Sequence, residues 1–155
     1  MIPSSLMKPY SRILVVVDLS EDSEHVAGRA QQVAAGNPAA SLTLLHVVEF
    51  VPVEPLSDSL LPAVQIESEL LERAHERLGA LAGSFNGPPP EWRVESGNVK
   101  AEIVRCAREG GFDLIVIGCH ERHGLSILVN LTEDTVLHAA PCDVLAVRLL
   151  TGART

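Results

Sequence analysis

Aromatic side chains are scarce: only 3% of the 155 residues, Tyr10, Trp92 and three Phe, which is too few to build a stacking platform for single-stranded nucleic acid. Cysteine is nearly as rare. Cys106, Cys119 and Cys142 are odd in number and widely spaced, which excludes a disulfide framework and suits the reduced thiols of a cytoplasm. No stretch reaches the ~18 uninterrupted apolar residues of a membrane span. Met1 to Ser11, with one Lys and two Pro, lacks the apolar centre of a secretory signal, so a cytoplasmic location is expected. Basic residues are outnumbered, 12 Lys and Arg against 20 Asp and Glu. The net charge of −8 repels phosphate backbones and anionic bilayers, so neither nucleic acid nor membrane is expected as a partner. Internal repeats and low-complexity linkers are absent too, and the length suits one core. The expected division is an N-terminal extension over 1–11, one domain over 12–150 and a tail over 151–155.

What is present is alternation. Arg12 to Val17 (RILVVV) is a continuous apolar, β-branched run, the pattern of a strand buried on both faces. Ser20 ahead of Glu21 and Asp22 has the chemistry of a helix N-terminus, and Val26, Ala30, Val33 and Ala34 recur at helical spacing until Gly36-Asn37-Pro38. Ser41 to Val48 repeats the strand pattern. Phe50 to Pro62, with three prolines and no period, reads as an exposed loop. A long helix follows with Ile66, Leu70, Ala74, Leu78 and Leu81 on one stripe, its acidic and basic residues reading as a solvated face. Beyond the Asn86–Pro90 breaker, Glu91 to Glu95 reads as an edge strand, Ala101 to Glu109 as a helix and Asp113 to Ile117 as a buried strand. Leu128 to His138 reads as the last helix and Asp143 to Val147 as the final strand. Five strands and four helices predict an α/β domain with an open, doubly wound parallel sheet, and ligands at the carboxyl ends of its strands.

Two strand ends are informative. Asp18 can accept hydrogen bonds from a ribose hydroxyl or an adenine amine, or it can cap the helix that follows. Gly118, ahead of Cys119 and His120, allows either close backbone approach to a ligand or a turn with positive φ. A phosphate cradle also needs free N–H groups and no negative charge nearby. Between Gly118 and Thr135, however, Glu121, Glu133 and Asp134 stand against Arg122 alone, for a local charge of −2 with His neutral. Like charges ~4 Å apart at an effective dielectric of about 20 repel by roughly 4 kcal/mol, enough for one carboxylate to cancel the gain from binding a triphosphate.

RILVVVDLSEDSE at the start, LTLLHVV in the second strand, and DLIVIGCHERHG followed by APCDVLAV at the end resemble the universal stress protein family over Ser11 to Leu149. The resemblance implies a Rossmann-like, adenine nucleotide alpha hydrolase-like domain with strand order 3-2-1-4-5, usually dimeric. Members that bind ATP share a loop of the form G-x2-G-x9-G-[ST]. Here Gly118 matches the first glycine, while the second falls on Glu121, the third on Leu131 and the hydroxyl residue on Thr132. A further hydroxyl position is Asp134. By these departures the chain resembles the A-type branch, without nucleotide. If ATP with magnesium were held, the resemblance would place Asp18 and Val47 near adenine and ribose, and Gly118 and Thr132 near the phosphates.

The resemblance also implies that the last strand pairs with its copy in a second subunit. That covers an otherwise open apolar edge and places Val144, Leu145, Ala146 and Val147 in a homodimer contact. Cys119, His120 and His123, with His138 and Cys142, have soft and imidazole donors suited to zinc or copper but no recognised ligand spacing, so no metal is expected. His46, inside an apolar strand, reads as a satisfied interior histidine. No G-x-S-x-G elbow or G-x-x-x-x-G-K-[ST] loop exists, so no catalytic residue is assigned. The function expected is a non-enzymatic, dimeric interaction or regulatory protein of the stress response, without cofactor. The competing readings are an ATP-binding regulator or weak ATPase, and a redox- or metal-responsive module built on Cys119.

Overall fold

A computed structural model describes residues 1–49, 60–119 and 132–149. In chain order its elements are β1 (Arg12–Val16), α1 (Ser23–Ala34), β2 (Ser41–Glu49), α2 (Leu60–Gly83), β3 (Glu91–Gly97), α3 (Val99–Glu109), β4 (Leu114–Cys119), α4 (Thr132–Ala139) and β5 (Asp143–Arg148), after a 3-10 turn at Ser4–Leu6. The strands form one parallel sheet in the order β3-β2-β1-β4-β5. Ile13 stands level with Leu42 on one side and Leu114 on the other. This is the doubly wound topology expected, with β3 and β5 at the edges.

The period-2 geometry of a strand explains why RILVVV is apolar throughout. Ile13, Val15 and Val17 project into a layer with Val26 and Ala30 of α1 and Ala74, Leu78 and Leu81 of α2. Leu14 and Val16 project into the opposite layer, with Ile103, Cys106 and Ala107 of α3 and Val136 of α4. Each large side chain so buried contributes roughly 1.5–3 kcal/mol. Among the described residues, no helix is long and apolar enough to cross a membrane.

The amino ends of the central strands are tied by one carboxylate. Asp113 accepts hydrogen bonds from the backbone N–H groups of Ser11 (2.9 Å) and Arg12 (3.0 Å) and from the Ser11 hydroxyl (3.1 Å). Partial burial alone would raise the pKa of Asp113, but these donors outweigh it and hold the carboxyl below its ordinary value. At the foot of α3, Asn98 Oδ1 accepts the Ala101 N–H (2.9 Å), a standard N-cap contact.

Several boundaries differ from the sequence expectation. Leu60, Leu61 and Pro62 belong to α2 and not to the preceding loop; a proline in the first helical turn removes an N–H that has no helical partner in any case. Ser20 is not the cap of α1: the cap position is Asp22, and Ser20 Oγ accepts the Asp22 N–H (3.2 Å) within the turn. β4 runs on through Gly118 and Cys119, which pair with Val147 and Arg148, so these residues do not form a loop beyond the strand. Positions 50–59, the expected loop, lie outside the described residues.

Candidate functional site

The strand order reverses between β1 and β4, and the carboxyl ends of β1 and β2 open onto a groove of about 360 Å³. Asp18, His46 and Val47 border it from the sheet side, and Leu70, Arg73 and Arg77 border it from α2. Asp18 Oδ1 accepts the Ser20 N–H (2.9 Å) and the Ser23 hydroxyl (3.4 Å), so the carboxylate braces the β1–α1 turn while lying on the groove wall. Val47 is largely buried and supplies an apolar surface. His46 Nδ1 lies 2.8 Å from the Val17 carbonyl; because a carbonyl only accepts, Nδ1 is the donor in this contact.

Leu19, next to Asp18, adopts φ +63°, a left-handed conformation that is unusual for a bulky side chain. Two contacts hold it there: burial of its side chain in the α1–α2 layer, and the Arg77 guanidinium, which donates to the Leu19 carbonyl. Arg73 and Arg77 escaped the sequence reading, which took the polar side of α2 as solvated. The i,i+4 spacing of the two arginines was the available signal. Together they match Asp18 and Glu49, so the described part of the groove is balanced in charge and not acidic.

Gly118 lies on β4, on the other side of β1 from the groove. A Cβ there would stand 3.0 Å from both methyl carbons of Leu149 and 3.2 Å from its Cγ. The missing side chain therefore makes room for Leu149, whose N–H donates to the Cys119 carbonyl at 3.0 Å. Thr132, Glu133 and Asp134 fall within α4. Glu121, Arg122 and Leu131, on which the loop comparison rests, lie outside the described residues, as do His120 and His123. Among the described residues no group of three or more His, Cys, Asp or Glu is placed to hold a metal ion. Burial pushes the Cys106 thiol up, with Arg93 and Arg105 opposing in part, and burial with Asp143 raises that of Cys142.

At the β5 edge, Leu145 (37% accessible) and Ala146 are exposed. Val144 packs against the α3–α4 layer, and Val147 is buried in the opposite one. Beside this edge, the Tyr10 hydroxyl donates to Asp143 Oδ2 at 2.7 Å, and this bond raises the Tyr10 pKa.

The profile of the universal stress protein family matches residues 9–148. The chain belongs to that family. Among its relatives, universal stress protein A homolog 2 of Coxiella burnetii is 35% identical over 143 residues, covering 92% of this chain and 98% of the relative. Universal stress protein A homolog 1 of the same organism is 37% identical over 139 residues, covering 89% and 96%. Solved universal stress folds superpose along nearly the whole chain. UspA from Lactobacillus plantarum gives a TM-score of 0.66 at 25% identity, covering 91% of this chain and 99% of that one. The hypothetical protein MJ0577 gives 0.74 at 23%, covering 92% and 99%. A universal stress protein in complex with cAMP gives 0.64 at 22%, covering 92% and 100%, a likeness of fold.

Proposed function

We propose that this universal stress protein acts in the cytoplasmic stress response as a non-enzymatic, homodimeric interaction or regulatory protein that does not use ATP. The observation that supports the reading is the packing of Leu149 against Gly118: the one glycine retained from the family's ATP loop has an internal structural use. In the sequence, Glu121 and Leu131 stand at the other two glycine positions of that loop and Glu133 and Asp134 follow, whereas a phosphate cradle calls for small residues without negative charge. The dimer contact proposed is the β5 edge, where Leu145 and Ala146 are exposed and the strand, paired with β4 on its inner side, has no further strand on its outer side among the described residues.

A second reading, an ATP-binding regulator or weak ATPase, is favoured by the groove itself, where Asp18 and Val47 sit together beside His46. The cAMP complex of a protein of the same fold adds a nucleotide precedent. Equilibrium binding of fluorescent ATP with magnesium separates the two. No saturable binding is expected up to millimolar nucleotide, and micromolar affinity abolished by Asp18→Ala would overturn the first reading in favour of the second.

A further inference from the structure

We propose that Asn86 is a site of spontaneous modification, where the main chain of the α2–β3 turn closes on the Asn86 side chain, expels ammonia and leaves a mixture of aspartyl and isoaspartyl residues. Four asparagines occur in the chain, and the chemistry asks three things of each: a following N–H free to become the nucleophile, no side chain in its way, and an amide not held in hydrogen bonds. Asn86 meets all three. It is followed by Gly87, both residues are exposed, and a Cβ added to Gly87 would meet nothing within 4 Å. Among the described residues neither the Asn86 amide nor the Gly87 N–H takes part in a hydrogen bond. Gly87 has φ +93°, a value that side chains oppose, so the turn itself keeps a glycine next to the asparagine.

Two other asparagines fail, each for a visible reason. Asn37 precedes Pro38, whose nitrogen carries no hydrogen, and its side chain donates to the Tyr10 carbonyl (3.1 Å) and accepts the Ala39 N–H (3.0 Å). Asn98 precedes β-branched Val99 and caps α3 through the Ala101 N–H, so ring closure there would break a helix cap. Asn130 lies outside the described residues. The step at Asn86 needs only water and base. Hydroxide removes the Gly87 amide proton, the nitrogen attacks Asn86 Cγ, and the Cγ–Nδ2 bond breaks as ammonia leaves with a proton taken from water. Water then opens the cyclic imide. Attack at Cγ restores the main chain with an aspartate, and attack at the backbone carbonyl reroutes the main chain through Cβ and Cγ as isoaspartate. Either product adds one negative charge, taking the chain from −8 to −9, and the second lengthens the main chain by one carbon between Phe85, which packs on the core, and β3. The converted fraction records the age of the molecule.

The test is prolonged incubation of the full chain at pH 8, sampled over time and read by peptide mass spectrometry with fragmentation that separates aspartate from isoaspartate, beside the same chain unfolded in guanidinium chloride. The expected result is a first-order mass gain of about 1 Da at residue 86 of the native chain, with Asn37 and Asn98 unchanged and the rate rising with pH. Gly87→Ala should slow the conversion roughly tenfold or more, and Asn86→Gln should abolish it, with circular dichroism confirming that each variant is folded. The comparison with Asn37 and Asn98 is made within the parent chain and needs no variant. No gain at residue 86 of the native chain overturns the proposal, whether or not the unfolded chain converts. Conversion of Asn98 at the same rate, or an undiminished rate in folded Gly87→Ala, overturns it as well.

Discussion

Gly118→Ala should destabilise this protein, and the cost should vanish when Leu149 is shortened. The new Cβ would lie 3.0 Å from two methyl carbons and 3.2 Å from a third carbon, tighter than ordinary contact, and Leu149 is itself buried with little room to retreat. Overpacking of this kind costs about 1–3 kcal/mol. Replacing a strand glycine returns roughly 0.5–1 kcal/mol through reduced chain entropy. The single variant should therefore lose about 1 kcal/mol, or ~2–4 °C in Tm for a domain of this length. Leu149→Ala alone should cost ~2–5 kcal/mol through the cavity it leaves. In that background the alanine methyl enters the cavity, so Gly118→Ala should become neutral or stabilising. A double-mutant cycle by urea denaturation should then show a coupling of ~1–3 kcal/mol. Equal destabilisation in both backgrounds refutes the packing explanation. If Gly118 is instead kept for close approach of a nucleotide, its substitution leaves stability alone and lowers ATP affinity.

Asp113 has its pKa depressed in the folded state, so its contribution is present above the unfolded value of about 3.9 and is lost as pH falls through the lower folded value. Asp113→Asn should cost ~1.5–3 kcal/mol at pH 7, the range for hydrogen bonds to a charged group, and the gap from the parent should narrow below about pH 4 in acid-dependent urea melts; a gap independent of pH refutes the assignment. Arg77→Met should leave the Leu19 carbonyl without its guanidinium and the positive φ less well held, at a cost of ~1–2 kcal/mol; stability equal to the parent would show that the contact is incidental. Cys106, 1% accessible with a raised thiol pKa, should resist iodoacetamide at pH 8 until urea unfolds the chain, read by peptide mass spectrometry; alkylation under native conditions would contradict its place in the core.

The layout of the fold was legible because it depends on local pattern. RILVVV reads as a strand covered on both faces, and of the helical stripe Ile66, Leu70, Ala74, Leu78 and Leu81 the last three are buried, whereas Ile66 and Leu70, nearer the start of α2, are exposed. The sheet order came from the family resemblance and not from the pattern. What escaped depends on partners distant in sequence. Nothing near Gly118 shows that Leu149 occupies its missing side chain, so the glycine read as a ligand feature or a turn. Arg77 looked solvated because the carbonyl it meets, on Leu19, lies 58 residues away. Ser20 resembled a cap because its hydroxyl does bond an N–H, but that of Asp22, one turn early. Asp18 could be read as a brace or as a ligand contact; the structure shows the bracing bonds and leaves the same carboxylate on the groove wall.

The sheet also acts as a partition. Alternate residues of β1 serve two oil-filled compartments that share a backbone wall but no side chains, so damage in one cannot be repaired by repacking in the other. Substitutions on opposite sides should add independently, whereas those within one compartment should interfere. Such a chain can have its groove remodelled beneath α2 while the α3–α4 compartment keeps the domain standing.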